Sequence, residues 1–152
     1  MPLLFPALWR ACSNGRTDDV ADLLAQGADI DERGGVFCST PLHEAAWEGN
    51  EAIARTLLEH SAKVSFKDSN GSTPLHFACC EGKLDIARLL LEQGAEPDGE
   101  NHDGITPLGN ALCQGHYQLC VLLLEYGAVL PAKRNDPMTE LQAAALLGYH
   151  GA

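Results

Sequence analysis

Apolar residues in this chain come in short clusters, and the clusters return at a fixed interval. Ile53, Leu57 and Leu58 stand at i, i+4 and i+5, a helical spacing with one buried face, while Arg55 and Glu59 point to water. The Leu57-Leu58 pair returns as Leu90-Leu91 and Leu123-Leu124, at equal intervals. Thr40-Pro41-Leu42-His43 keeps the same interval, as Thr73-Pro74-Leu75-His76, Thr106-Pro107-Leu108-Gly109 and Thr139-Glu140-Leu141-Gln142. So do Gly49, Gly82, Gly115 and Gly148. An earlier copy, Leu8 to Ala28, is offset by one position more, with Gly15 answering to Gly49 and Leu23-Leu24 to Leu57-Leu58. The extra position falls in the loop from Asp31 to Ser39. A period of about 33 residues marks small units that cover one another's apolar faces, because one such unit cannot bury its own.

Each unit carries its own start and stop signals. Thr40 can cap a helix whose first turn accepts Pro41, since the missing proline N–H is one of the donors left unpaired there anyway. A helix is therefore predicted from Pro41 to near Gly49, with small Ala45 and Ala46 allowing a neighbouring helix to approach. A second helix is predicted from about Glu51. Gly27, Gly94 and Gly127 fall where a left-handed residue ends the second helix, and Ser61 departs from that pattern, at a cost of about 1 kcal/mol. The stretch Lys67-Asp68-Ser69-Asn70-Gly71-Ser72 has room only for a tight hairpin before the next threonine.

The motif T-P-L-H-x-A, with two helices and a turn in a unit of about 33 residues, resembles the ankyrin repeat. That resemblance implies an all-α repeat solenoid of helix-turn-helix units with short hairpin or loop fingers. The helices would stack in two layers, and the fingers and first helices would form a concave face. Residues 1–152 read as a single domain: an amino-terminal capping repeat at 6–39, with Trp9 in place of the motif histidine, and full repeats at 40–72, 73–105 and 106–138. Residues 139–152 read as either a partial repeat or a carboxy-terminal cap.

Composition narrows the chemistry. In 152 residues, 10 Lys and Arg stand against 21 Asp and Glu, a formal charge of −11, which repels nucleic acid and anionic membrane. No apolar run approaches a membrane span, and the first six residues lack the pattern of a leader. The six cysteines read as reduced thiols, so a cytoplasmic or nuclear monomer is expected. His76 with Cys79 and Cys80 puts soft ligands on one side of a helix, but no second Cys/His pair follows at zinc spacing. Cys79 also stands in register with Ala46 and Cys12, as a small buried residue would. The resemblance gives His43 and His76 a structural task, bonding the neighbouring loop. No nucleophile, phosphate-loop or zinc-hydrolase motif is present, so neither a cofactor, a metal nor catalysis is expected.

The residues that the repeat leaves free carry the functional expectation. Phe37, Trp47, Phe77, Ile105 and Met138 place large apolar groups on the expected concave face, interleaved with Glu44, Glu48, Glu81, Asp103 and Asp136, with Cys80 and Asn110 completing it. On the fingers, Ser39 and Ser72 read as free as well. Aromatic anchors within an acidic rim suit a basic or Arg-containing segment of another protein; packing between repeats is the competing reading of the same residues. The expected function is a non-catalytic protein–protein interaction module. Two alternatives stay open. Leu119-Cys120-Val121 and the following Leu122 to Ala128 look like repeats of the ankyrin and SOCS-box proteins, which suggests the substrate-recognition part of a ubiquitin ligase, although the carboxy-terminal box is absent from this sequence. The size and acidity also allow an ankyrin-type enzyme inhibitor.

Overall fold

A computed structural model describes residues 6–129. It forms eight helices among those residues: α1 (Ala7–Ser13), α2 (Thr17–Ala25), α3 (Pro41–Glu48), α4 (Glu51–Glu59), α5 (Pro74–Glu81), α6 (Leu84–Glu92), α7 (Pro107–Cys113) and α8 (Tyr117–Glu125). The odd-numbered helices pack on one another in one row and the even-numbered helices in a second, with each pair joined by a short turn. The two-layer solenoid that the resemblance implies is therefore the fold.

Local chemistry sets the ends of the helices. Pro41, Pro74 and Pro107 open α3, α5 and α7, and the Thr73 hydroxyl accepts from His76 N–H at 3.4 Å and the Thr106 hydroxyl from Gly109 N–H at 3.0 Å. α4 is opened by Asn50, whose side-chain oxygen accepts from Ile53 N–H at 3.0 Å. Gly49 and Gly82 close α3 and α5 at φ 77° and 75°, where a side chain is disfavoured. Ser61 does sit left-handed, at φ 70°, in the place that Gly27, Gly94 and Gly127 hold in their repeats. Cys38 is a second such residue, at φ 52°, where the later fingers have Gly71 and Gly104.

The core runs between the rows. Leu42, Leu75 and Leu108 from the first helices meet Ile53, Leu57, Ile86, Leu90, Leu119 and Leu123 from the second, all buried. Each such side chain contributes about 1.5–3 kcal/mol of apolar transfer. Ala45, Ala46, Ala78, Cys79 and Ala111 are buried too, and their small size lets the first helices pack closely. Leu58 is only half-buried, at the edge of the face assigned to it.

The fingers are turns more than strands. Asp68 N–H bonds the Ser72 carbonyl and Asn101 N–H bonds the Ile105 carbonyl, each at 2.9 Å, closing a tight loop in each finger. Their own side chains complete the turns: Asp68 Oδ1 accepts from Asn70 and Ser72 N–H, and Asn101 Oδ1 from Asp103 and Ile105 N–H. The first finger, longer by one position, holds the β-bridge seen among the described residues, between Gly34 and Ser39.

Candidate partner-binding face

A ring in each of the first three units fixes the finger that follows. In the second unit Thr40 N–H donates to His43 Nδ1 at 3.1 Å, so that nitrogen is bare and Nε2 carries the hydrogen, which it donates to the Ser72 carbonyl at 2.9 Å. His76 repeats the arrangement with Thr73 N–H and the Ile105 carbonyl. Burial favours the neutral ring: it pulls His43 down to about 4, against the Ser72 bond that raises it, and it lowers His76 in the same way. Both nitrogens of His76 are thus engaged in structure. Burial also pushes the Cys79 thiol far up, which disfavours the thiolate that a metal needs. No three His, Cys, Asp or Glu side chains converge as a metal site among the described residues.

Trp9 does in the first unit what the histidines do later. Its Nε1–H donates to Ser39 Oγ at 2.9 Å, and Ser39 stands where Ser72 and Ile105 stand in their fingers. The Ser39 hydroxyl passes its own hydrogen to Glu44 Oε1 at 2.7 Å. The bulkier indole needs room, which Gly34 and Gly35 provide: a Cβ on Gly34 would lie 2.6 Å from the ring. Glu32 meanwhile accepts from Trp9 N–H at 2.7 Å and brings a carboxylate to the first turn of α1, which has no acidic residue of its own there. Burial raises the pKa of Glu32 and outweighs that bond.

Backbone bonds then join finger to finger, Ser69 N–H to the Phe37 carbonyl at 2.8 Å and His102 N–H to the Asn70 carbonyl at 2.9 Å. The first helices and fingers consequently form one hydrogen-bonded face. On it Trp47 is 42% exposed and Phe37 53%. Phe77 is half-buried and meets His43 edge-on at 4.9 Å between ring centres and Trp47 at 5.7 Å. Such edge-to-face pairs are worth about 0.5–1.5 kcal/mol beyond burial. Glu48, Glu81 and Asp103 are exposed, and Cys80 is half-buried.

Several residues expected to be free on this face have structural tasks instead. Ser39 and Ser72 are buried, because the ring of the preceding unit reaches them. Ile105 is half-buried and its carbonyl is taken by His76. Glu44 is half-buried against Ser39, with its carboxyl raised first by burial, and Asn110 donates its amide to the His76 carbonyl at 3.3 Å. Phe77 belongs in large part to packing between repeats. Asp136 and Met138 lie outside the described residues, as does the unit assigned to 139–152. Glu32 and Arg33 hold tasks that the motif does not mark. For Arg33 a signal was present: once the extra position of the first finger is counted, Lys67 repeats its basic character at the same place in the next finger.

Comparison with known proteins places this architecture. A model of ankyrin repeats in three copies matches residues 8–101, and one of many copies matches residues 79–124. Ankyrin repeat and SOCS box protein 11 of Homo sapiens is 40% identical over 71 residues, 47% of this chain and 21% of that protein. Palmitoyltransferase ZDHHC13 of Homo sapiens is 38% identical over 63 residues, 41% of this chain and 10% of that protein. The chain thus spans about a fifth of the first relative's length and a tenth of the second's. The repeat motifs, the paired helices in two rows and the rings that hold each finger agree with the match over residues 8–101. The chain belongs to the ankyrin repeat family and is a protein–protein interaction module.

Proposed function

We propose that this chain binds a basic or Arg-containing segment of another protein on the face formed by its first helices and fingers. The observation that carries the reading is Trp47, a large aromatic side chain left 42% exposed while Phe77 braces its edge. An exposed, braced indole resembles the aromatic anchors that dominate binding energy at protein interfaces. Glu48, Glu81 and Asp103 add negative charge on the same helices and fingers, which favours a cationic partner and speeds encounter. The bonds from ring to finger and from finger to finger order the face in advance, so little conformational entropy is lost when a partner docks.

In this reading the chain acts as a monomer and without catalysis, and its six free cysteines suit a reducing compartment such as cytoplasm or nucleus. Similar identity to a SOCS box protein and to a palmitoyltransferase follows the shared repeat, so neither relative's role passes to this chain on that ground. The test is affinity capture from cell extract with the native chain and Trp47→Ala side by side. Proteins held by the native chain should be lost from the variant, by roughly 30-fold in affinity for an anchor worth about 2 kcal/mol. Melting should move little, since Trp47 is partly exposed. Identical retained proteins at equal affinity sink the assignment of this face.

A further inference from the structure

The fingers carry a second patch of opposite sign. Arg33 sets its guanidinium carbon 5.1 Å from the centre of the Phe66 ring, and the Lys63 ammonium lies 5.0 Å from the same centre. Arg33 Nη1 also donates to the Lys67 carbonyl at 2.7 Å and the Cys38 carbonyl at 3.2 Å, so the guanidinium is held between two fingers. Lys67 follows Phe66 and occupies the register that Arg33 holds one finger earlier. All three cationic residues are exposed. The ion pairs found among the described residues, Arg16–Asp19 and Arg55–Glu51, involve none of them. Three carboxylates of these segments accept from backbone, Asp31 from Lys63 N–H, Asp68 from Asn70 and Ser72 N–H, and Glu32 from Trp9 N–H, while exposed Glu100 takes the Lys67 register one finger later.

We propose that Arg33, Lys63 and Lys67 form a docking site for a short carboxylate-rich segment of a partner protein, on residues other than the Trp47 anchor. The charge of the chain selects among anions. A long polyanion such as nucleic acid or an anionic bilayer extends well past the Debye length of about 8 Å and meets the net −11 of the molecule. A segment with a few carboxylates meets chiefly the local cations. The guanidinium has donors beyond Nη1 to offer a carboxylate fork, and the Phe66 ring holds two of the charges in place before binding.

The probe is a rhodamine-labelled hexaglutamate peptide, titrated with the full chain at about 150 mM salt (about an 8 Å Debye length) and followed by fluorescence anisotropy. The native chain should bind it saturably and bind labelled hexalysine through other residues. Lys63→Glu with Lys67→Glu should weaken hexaglutamate binding by roughly tenfold or more, as loss of rim charges does. Trp47→Ala should leave it unchanged. Arg33 is kept, because it ties two fingers together, and circular dichroism melting checks the fold. Should the charge reversal melt early, Lys63→Gln with Lys67→Gln replaces it, with a smaller loss in the same direction. Absence of saturable binding by the native chain, or equal binding by a folded variant, overturns the proposal. Equal affinity for a single-stranded oligonucleotide, lost in the same variant, overturns its commitment to a protein partner.

Discussion

Replacing His43 by phenylalanine keeps an aromatic ring against Phe77 and removes the ring's hydrogen bonds, to the Thr40 N–H and hydroxyl and to the Ser72 carbonyl. Thr40 and Ser72 are buried, so each group is left without its ring partner at about 1–3 kcal/mol. The expected loss at neutral pH is therefore roughly 2–5 kcal/mol, a large part of the stability of a domain this size. The pH dependence makes the test sharper. Burial lowers His43 from 6.5 to about 4 in the folded chain, so between those values the unfolded chain takes up a proton that the folded chain refuses. The stability that this ring contributes is complete above pH 6.5 and falls as pH drops toward 4, by about 3 kcal/mol. Phenylalanine has no such proton, so the gap between native chain and His43→Phe should narrow by about that amount from pH 7 to pH 4. Asp68, Arg33 and His76, whose charges act on His43, are present in both chains and largely cancel. Urea unfolding followed by circular dichroism at pH 7, 5.5 and 4 measures the gap directly. A gap that stays constant across this range refutes the buried neutral ring as the link between unit and finger.

Gly34→Ala should lower stability by roughly 1–3 kcal/mol in thermal melts, because its Cβ would lie 2.6 Å from Trp9 ring carbons; no change in melting would mean that the indole is not seated there. Ser61→Gly should raise the urea midpoint by an amount equivalent to about 0.5–1 kcal/mol, since Ser61 holds φ 70° in a place where three other units have glycine. Native-state alkylation with iodoacetamide, read by mass spectrometry, should modify exposed Cys38 and Cys113 first. Cys12, Cys79 and Cys120 should be labelled last, because all three are buried and burial pushes their thiols up, to about 12 at Cys12, about 11 at Cys120 and further still at Cys79.

Much of the fold was legible because its signals are local. Thr73-Pro74 starts a helix through its own hydroxyl and its own missing N–H, and Gly82 ends it through its own φ, so no distant contact is needed to read either. The left-handed Ser61 is legible in the same way, by register against three glycines, and Cys38 stands in equal register with Gly71 and Gly104, so the same signal was present there. The candidate face was harder to read. Ser39, Ser72 and Ile105 looked free because each precedes a helix cap in a turn, yet rings 29 or 30 positions away bond their hydroxyl or carbonyl groups. Phe77 looked like a partner contact and is half-engaged with His43 and Trp47 in the neighbouring unit.

By itself the sequence determined the unit: its period, the ends of its helices, the apolar face of each second helix and the family to which the motif points. Those follow from backbone preferences and helical spacing over short stretches of chain. Tertiary structure alone decided which side chains of the first helices and fingers remain for a partner, because that depends on how each unit's ring, indole or carboxylate meets the unit after it. It left Trp47 and Phe37 partly open, engaged Glu44 and Asn110 with neighbouring units, and brought Arg33 of one finger onto the Phe66 ring of the next, beside Lys63. Contacts between units join side chains a whole repeat apart, and a pattern read along the chain does not reveal how they meet in space.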